Sequence, residues 1–526
     1  MNLISKRTKF KIHDISDMNN RYILLVAYFI FFTLGESFSQ SKELKTADKY
    51  FNQFNYSKAV ERYLKLISEN KNTYYATNKI AECYSHLQDS EKSIEWYLKA
   101  IKFPDFDYHI YYNLAQELKK VKDYEAAHDY MQKYLELSGV KPHEYDYPLN
   151  NYIRLLKEDS MRYEIYRLRI NSKYSEFGPV TYSNKLIFCS NRPRRTLVSR
   201  DDVMTNQQFF SLYEAQIISL NELKDTKIFA NNLKSKLNTG PVCFNRDQNL
   251  MYVTRNDAKN KKGSSNLDIY TTKLSKGKWS KNLERIPLQH SGYSIAHPSL
   301  SRDGKKLYFS SNMPGGYGGM DIYVCDNKNG FLSSPENLGP EINTPGNEVF
   351  PYIANDGRLY FSSDGLQGLG GLDIFFVLPT EDSFSYPFNM GYPVNTADDD
   401  FSFFLNEDKR TGYLASNREG GKGEDDIYAF RIIKQLDYCL LVGTVVDESV
   451  NKPVNNAQIV IKNKKGLVVY KLVSDPNGGF SIYLKKDRDY FFSCRKKLYK
   501  QLNGKFTEVQ MMEKNILQIE LSLQPK

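Results

Sequence analysis

Two successive stretches near the middle of the chain share one pattern, and they decide the fold of its largest part. The first runs His297-Pro-Ser-Leu-Ser-Arg-Asp-Gly-Lys-Lys-Leu-Tyr-Phe-Ser-Ser-Asn312 and continues as Gly315-Gly-Tyr-Gly-Gly-Met-Asp-Ile-Tyr-Val324. The second runs Phe350-Pro-Tyr-Ile-Ala-Asn-Asp-Gly-Arg-Leu-Tyr-Phe-Ser-Ser363 and continues as Gly370-Gly-Leu-Asp-Ile-Phe375. Short alternating runs separated by Asp-Gly and Gly-rich turns predict antiparallel strands.

Weaker copies of this pattern precede and follow the two, which makes five units between residues 160 and 434. Each unit predicts an inner strand, a second strand, a third that opens with Asp-Ile-Tyr, and an outer strand. The fifth unit has no outer strand downstream, whereas the orphan segment 163–171 has the required alternation. We therefore predict a five-bladed β-propeller over 160–434, closed by strand 163–171, with six blades as the alternative.

An aspartate opens the third strand in four of the five units. Recurring acids would suit a ligand site, but equivalent positions of successive blades lie around a ring and do not converge. A short side chain that fixes the preceding Gly-rich turn explains the recurrence better, so we predict a structural role. The four residues are Asp268, Asp321, Asp373 and Asp426.

Several loops in front of the third strands are basic. Blade topology places these loops on one face, which would attract an anionic partner, and a solvated rim is the alternative. The candidate contact residues are Arg192, Arg194, Arg195, Lys261, Lys262, Arg418 and Lys422.

The segment before the propeller repeats every 34 residues, with small side chains at Ala47, Ala81 and Ala115. Alternating columns of small and large residues suit pairs of antiparallel helices, because the small ones let helix backbones approach. This is the tetratricopeptide pattern. We predict an α-solenoid of three such repeats over 41–158, ending in a capping helix, with a generic helical bundle as the alternative.

The concave surface of such a solenoid commonly receives a peptide or helix of another protein. Four side chains on the first helices of the repeats hold positions that would face this groove, although each would equally suit a solvated surface. They are Tyr75, Asn78, Tyr112 and Asn113.

After Lys434 the pattern changes to short alternating strands with Pro-Asn and Asn-Gly turns, which predicts a small β-sandwich over 437–526. The fold class is therefore multidomain α and β. The six cysteines include no Cys-x-x-Cys pair and give no metal-site spacing. Cys439 and Cys494 both fall on strands of the sandwich and are the one pair that we consider for a disulfide.

The N-terminus predicts export. Arg21 precedes fourteen uncharged residues that end at Gly35, a run too short to span a bilayer, and small residues at Ser37 and Ser39 suit a processing site. We predict a signal peptide over 1–40, with Met18 as a possible true start. An uncleaved anchor is the alternative.

Composition and motifs narrow the function. The formal net charge of +10 is mild for 526 residues, and the cations are interleaved with acids, so we expect no nucleic-acid partner. The chain has no Gly-x-Ser-x-Gly turn, no His-Glu-x-x-His and no phosphate-binding loop. We therefore expect no catalytic residues, no cofactor and no metal, and hence no enzyme.

The order of these segments resembles the PorE-like subgroup of OmpA-family envelope proteins. The propeller units resemble those of TolB, and the sandwich, with Gly443, Asp447, Pro453 and Gly479-Phe480, is similar to carboxypeptidase regulatory-like domains. The resemblance implies a periplasmic scaffold of type IX secretion or gliding, peripherally associated with the outer membrane. Its implied partners are envelope proteins, among them an outer-membrane secretion component.

In that family an OmpA-type domain follows the sandwich and binds peptidoglycan, whereas this sequence ends at Lys526. We therefore do not expect direct peptidoglycan binding. The alternative function is a glycan-binding or glycan-cleaving propeller, favoured by the aromatic residues and by acidic loops.

Overall fold

The computed structural model describes residues 42–52, 55–139, 149–193, 208–233, 237–256, 266–288, 292–328, 330–381 and 383–526. The chain divides into two compact units, Met1–Pro104 and Asp105–Lys526. The predicted signal peptide lies outside the described residues. Among the residues that are described, no helix is both long enough and apolar enough to cross a membrane.

The first unit consists of helices that pack against their neighbours in sequence. They are α1 (residues 42–52), α2 (Tyr56–Ser68), α3 (Thr73–His86) and α4 (Ser90–Ala100). The small residues of the repeat, Ala47, Ala59 and Ala81, are fully buried where helix backbones approach. Asn55 and Asp89 precede α2 and α4 and cap these helices, because their side chains accept backbone N–H groups of the first turn.

The second unit begins with three more helices, α5 (His109–Lys120), α6 (Tyr124–Ser138) and α7 (Leu149–Glu158). Asp123 caps α6 by accepting the N–H of Ala126. Gly139 ends α6 with a φ of +68°, the left-handed conformation that favours glycine. Helix α7 corresponds to the predicted capping helix, and it contacts both α6 and the strand Val468–Val473.

Residues 163–432 form five antiparallel sheets, which we number 1 to 5 and describe from the inner to the outer strand. Sheet 1 comprises Glu176–Tyr182, Lys185–Ser190, Ser211–Ile217 and Leu223–Ile228; sheet 2 comprises Thr239–Phe244, Leu250–Asn256, Leu267–Ser275 and Glu284–Arg285, with Lys278–Trp279 added; sheet 3 comprises Ile295–Leu300, Lys306–Ser311, Asp321–Lys328 and Glu336–Asn337, with Phe331–Leu332 added; sheet 4 comprises Glu348–Ile353, Leu359–Ser363, Asp373–Val377 and Phe388–Asn389; sheet 5 comprises Asp400–Leu405, Thr411–Ser416, Asp426–Ile432 and Tyr163–Arg167.

The inner strands contact one another in the order 1, 2, 3, 4, 5 and back to 1. The five sheets therefore surround a common axis, and we call residues 163–432 the ring. The outer strand of sheet 5 comes from the start of this region, because Tyr163–Arg167 pairs antiparallel with Asp426–Ile432. This strand ends at Arg167, earlier than the predicted end at residue 171, although Leu168 stays buried.

A β-bulge interrupts every inner strand at the same place, and in four of the five a proline is the second bulged residue. Proline cannot donate to a strand ladder, so a bulge is one of the few places where a sheet accepts it. A positive φ is found at three of the residues that directly precede these prolines: Gly178, His297 and Phe350. The prolines are Pro179, Pro241, Pro298 and Pro351.

Residues 438–526 form two sheets that enclose one apolar core, and we call them the C-terminal domain. The first sheet comprises Gly479–Lys485, Tyr438–Asp447 and Ile516–Leu523; the second comprises Val468–Val473, Gln458–Asn463, Tyr490–Arg495 and Leu502–Phe506. A short helix, α8 (Glu508–Met512), precedes the last strand.

The structure does not form the disulfide considered between Cys439 and Cys494. The two residues lie in different sheets, and both are free, buried thiols. They pack with the apolar side chains of the core, where cysteine acts as a small hydrophobic residue. Burial raises the pKa of the Cys494 thiol to about 11, so this thiol stays protonated at neutral pH.

Candidate interaction surfaces

The aspartates that open the third strands hold the loops in front of them. Asp321 accepts the backbone N–H groups of Tyr317 at 2.7 Å and Gly318 at 3.1 Å, and also the side-chain amide of Asn337 at 2.7 Å. The same three-donor arrangement recurs at Asp373, from Leu369, Gly370 and Asn389. Asp426 accepts two backbone N–H groups, from Lys422 and Gly423. Asp268 pairs instead with Arg285, at 2.8 Å.

Arg192 and Arg418, predicted to line a basic face, are occupied inside the ring. The guanidinium of Arg418 lies 2.5 Å from the carboxylate of Asp400, and that of Arg192 lies 2.9 Å from the carboxylate of Glu176. Both carboxylates are fully buried at the start of their inner strands. The prediction for these two arginines is wrong, because each balances a buried charge that would be costly without its partner.

The other predicted basic residues have different outcomes. Lys422 is exposed, and its backbone N–H donates to the carboxylate of Asp426. Arg194, Arg195, Lys261 and Lys262 lie outside the described residues.

Sheet 4 has the same buried carboxylate but no arginine. Glu348 is fully buried and accepts hydrogen bonds from the Ser363 hydroxyl at 2.6 Å and from the backbone and hydroxyl of Thr344. Gly365 stands where sheets 1 and 5 have Arg192 and Arg418. Burial therefore raises the pKa of Glu348 well above its ordinary value.

Helix α5 lies against the loops of sheet 4. The Gln116 side-chain amide donates to the Asp364 carbonyl at 2.6 Å, and the Lys119 ammonium approaches the same oxygen at 3.4 Å. At the start of α6, the Tyr124 hydroxyl donates to the Leu369 carbonyl at 2.8 Å. The third repeat is thus bound to the ring of its own chain.

The polar groups at this contact are strongly desolvated. Burial lowers the pKa of Lys119, and it raises the pKa of Asp364 and moves that of Asp373 to about 7. Opposite charges partly compensate, since Lys119 interacts with both aspartates. The contact is therefore a buried polar interface.

The structure places the predicted groove residue Tyr112 in this interface. Its hydroxyl packs so closely against Gly346 that a residue with a Cβ atom would not fit there. Tyr112 is therefore unavailable to an outside partner through this face, which corrects its predicted role. Asn113, on the same helix, is half-buried. The repeat pattern gave no indication of Gln116, Lys119 or Tyr124, because all three are ordinary helix-surface residues.

Helix α3 in the first unit presents the other two predicted residues. Tyr75 is 39% exposed, and its hydroxyl donates to Asp48 at 3.0 Å. Asn78 donates to the carboxylate of Glu82 at 2.9 Å, and Glu82 also pairs with Lys79 at 2.5 Å. The Asn78 carbonyl oxygen is buried and has no hydrogen-bond partner within the described part of the chain.

Aromatic side chains fill the axis of the ring between its inner strands. The ring centroid of Phe350 lies 5.2 Å from that of Phe401 and 6.1 Å from that of Phe177. His297 stacks on Phe350 at 3.8 Å, and burial lowers its pKa to about 3, so its imidazole is neutral at physiological pH.

The described residues contain no group of three or more His, Cys, Asp or Glu side chains that could hold a metal ion. A cavity of about 20 Å³ lies on sheets 4 and 5, lined in part by Tyr163, Arg358 and Tyr360. This is room for roughly one water molecule.

The tetratricopeptide repeat family matches this chain. Its profile covers residues 75–104 and 108–140. These segments include α3 with α4 and α5 with α6, and tetratricopeptide repeats indicate protein–protein interaction in general. No curated protein matches the chain.

Solved structures also match part of this chain. A gluconolactonase from Xanthomonas campestris is 13% identical, with a TM-score of 0.29, and the match covers 51% of this chain and 91% of that protein. An exo-β-1,3-galactanase from Clostridium thermocellum is 12% identical, with a TM-score of 0.33, covering 65% of this chain and 92% of the enzyme. A GH43 protein of a Bacteroides ovatus xyloglucan locus is 11% identical, with a TM-score of 0.29, and the match covers 64% of this chain and 79% of that protein.

Several of these matched proteins are enzymes. A β-xylosidase and an α-L-arabinofuranosidase also match the chain. This finding overturns the expectation that the chain is not an enzyme. The similarity assigns no reaction to this chain, because one fold hosts many unrelated reactions.

Proposed function

We propose that the chain is a scaffold protein of the cell envelope, in which α3 offers a docking surface and residues 105–526, which we call the platform, form a second compact unit. The observation behind this proposal is the contrast between equivalent helices of the repeat. Helix α5 is bound to the ring through Gln116, whereas the corresponding face of α3 keeps Tyr75 partly exposed and leaves a buried acceptor on Asn78.

The platform is supported by an ion-paired joint after α7. Asp159 lies 2.6 Å from the Arg162 guanidinium and 2.7 Å from that of Arg488, and it also pairs with Lys485. Both Lys485 and Arg488 belong to the C-terminal domain. On the other side, the Leu156 carbonyl of α7 accepts the N–H of Tyr392, a residue that follows sheet 4. Helix α7 is therefore fixed to the ring and to the C-terminal domain.

The finer architecture is part of the proposal. We take the ring to be a five-bladed β-propeller closed by the strand Tyr163–Arg167, and the C-terminal domain to be a carboxypeptidase regulatory-like sandwich. The cyclic contacts of the inner strands and the shared core of the two C-terminal sheets support this interpretation. The resemblance to PorE-like proteins supports export to the periplasm, peripheral association with the outer membrane, and partners from type IX secretion or gliding.

Site-specific photo-crosslinking tests the docking role. A benzophenone amino acid replaces Tyr75 in one variant and Tyr112 in another, and both are irradiated in intact cells. We expect position 75 to form a crosslink to a second envelope protein, which mass spectrometry identifies, and position 112 to crosslink only within the chain. Intermolecular products from both positions, or from neither, would contradict the proposal. Retention of the chain on envelope glycans, without any crosslinked protein, would favour the glycan-binding alternative.

A further inference from the structure

The C-terminal domain carries most of the excess positive charge of the chain. Residues 437–526 contain fifteen Lys and Arg and nine Asp and Glu, so +6 of the formal +10 lies in this segment. A concentration of this kind in one small domain creates a local field that the mild overall charge conceals.

One end of this domain is bound to α7, and the opposite end lies about one strand length away. Strand Gln458–Asn463 runs towards the fixed end, where Asn463 donates to Glu158 of α7. The opposite end, which we call the tip, consists of residues 447–456, 473–475, 495–500 and 524–526. A six-residue strand spans roughly 20 Å, which separates the tip from the joint at α7.

Hydrogen bonds tie the segments of the tip into one surface. The Lys496 ammonium donates to the Asn455 carbonyl at 2.7 Å, and the N–H of Asn456 donates to the Ser474 carbonyl at 2.9 Å. The Tyr499 hydroxyl donates to Asp447 at 2.8 Å. The side chains of these segments are therefore presented together.

Three apolar side chains on the tip face solvent: Val450 is 58% exposed, Val473 is 57% exposed and Leu498 is 72% exposed. Each belongs to a different segment of the tip, so they offer three separate points of insertion. Cations surround them, and among the described residues none of these forms an ion pair. They are Lys452, Arg495, Lys496, Lys497, Lys500 and Lys526.

We propose that the tip binds an anionic lipid surface. Val450 and Leu498 enter the headgroup layer, and the surrounding ammonium and guanidinium groups contact lipid phosphates. The combination is that of peripheral membrane proteins, in which apolar side chains supply insertion and cations supply attraction to anionic lipid. The only exposed acids on the tip are Glu448 and Asp475, so the surface keeps a clear positive excess. This role is independent of the docking surface on α3.

Vesicle flotation with the purified full chain tests the proposal. One set of vesicles is phosphatidylcholine alone, and the other contains about 30% phosphatidylglycerol, which supplies negative surface charge. We expect the chain to float with the anionic vesicles and to dissociate as salt is raised. The variant Lys497→Glu/Lys500→Glu removes charge at the tip, and we expect it to lower the bound fraction at least about tenfold.

A matched variant, Lys486→Glu/Lys514→Glu, makes the same change in net charge elsewhere in the C-terminal domain, and we expect it to bind within about twofold of the original chain. Leu498→Ser separates insertion from charge, and it should weaken binding while leaving the salt dependence. Thermal unfolding verifies that each variant is folded. Equal binding to neutral and anionic vesicles, no binding at all, or equal losses in the two charge variants would overturn the proposal, as would binding of an acidic protein without vesicles.

Discussion

Helices α3 and α5 occupy equivalent places in the repeat, 34 residues apart, yet their equivalent positions serve different purposes. In α3, Asn78 and Glu82 bond to each other along the helix. In α5 the corresponding residues are Tyr112 and Gln116, and both face the loops of sheet 4. The same two positions thus carry a hydrogen bond within the helix in α3 and contribute to an internal interface in α5.

The largest expected effect comes from Tyr112→Glu. The new carboxylate would lie beside the buried Asp364 and Glu348, whose pKa values burial already raises. An uncompensated buried charge costs about 3–5 kcal/mol, so we expect the free energy of unfolding of residues 105–526 to fall by that amount. Urea unfolding, followed by tryptophan and tyrosine fluorescence, measures this.

The matched control is Asn78→Glu, which adds the same charge to α3. We expect a change within about 0.5 kcal/mol, because Lys79 is adjacent and the position is less enclosed. Similar losses in both variants would show that α5 is no more enclosed than α3.

Acid distinguishes the joint after α7 from the contacts of α5. Burial opposes ionisation of Asp487, but the hydrogen bond from Arg162 and the charge of Arg488 outweigh it and lower its pKa to about 2, from an ordinary 3.8. The folded pKa is the lower one, so this stabilisation is present above about pH 4 and is lost as pH falls towards 2. We expect a loss of about 2 kcal/mol over that interval.

Urea midpoints at pH 6, 4 and 2.5 would record this loss, and Asp487→Asn should reduce it. The Gln116 contact contains no carboxylate of lowered pKa, so Gln116→Ala should leave the acid-dependent loss unchanged. An Asp487→Asn chain with the same acid profile as the original would rule out this assignment.

Gln116→Ala has a smaller expected effect at neutral pH. It leaves the Asp364 carbonyl without its 2.6 Å donor, and losing a buried hydrogen bond costs about 1–1.5 kcal/mol. Hydrogen exchange should show weaker protection along α5. Glu82→Ala is the equivalent change in α3, and we expect it to alter stability by less than about 0.5 kcal/mol. A larger loss of stability in Glu82→Ala than in Gln116→Ala would show that the enclosed face belongs to α3 and not to α5.

The smallest expected effect is that of Tyr124→Phe. The ring stays, and only the hydroxyl that donates to the Leu369 carbonyl is lost, which should cost about 0.5–1 kcal/mol. Calorimetry of Tyr124→Phe beside Ser90→Ala, the equivalent position in α4, measures the difference. Equal melting temperatures for the two variants would show that the Leu369 contact adds nothing.

The local structure could be predicted from the sequence because its signals are local. Buried alanines at the 34-residue spacing marked the first helices, and the Asp-Ile-Tyr pattern marked the third strands of the ring. The partner of Gln116 could not be predicted, because it is a backbone carbonyl 248 residues away and carries no side-chain signature. Any residue at position 364 would offer the same oxygen.

The arginine error has a different cause, because a signal was present. Sheets 1 and 5 begin their inner strands with Glu176 and Asp400, and both have an arginine two residues after the second strand. Sheet 3 has Ile295 in place of the acid and Met313 in place of the arginine. The joint presence or absence of the acid and the arginine in each sheet indicates ion pairs inside the ring. The shared loop position of the cations had indicated a basic surface instead.

The strand Tyr163–Arg167 has a consequence for the order in which the chain matures. It leaves the ribosome before every other strand of the ring, yet its partner Asp426–Ile432 leaves last. During synthesis its unpaired edge must therefore wait for almost the whole ring, and such an edge invites pairing with other chains. Since Arg162, directly before the strand, also binds Asp487 of the C-terminal domain, both closures are completed only after the ring has been made. Premature release of a truncated chain would therefore leave an open, aggregation-prone sheet.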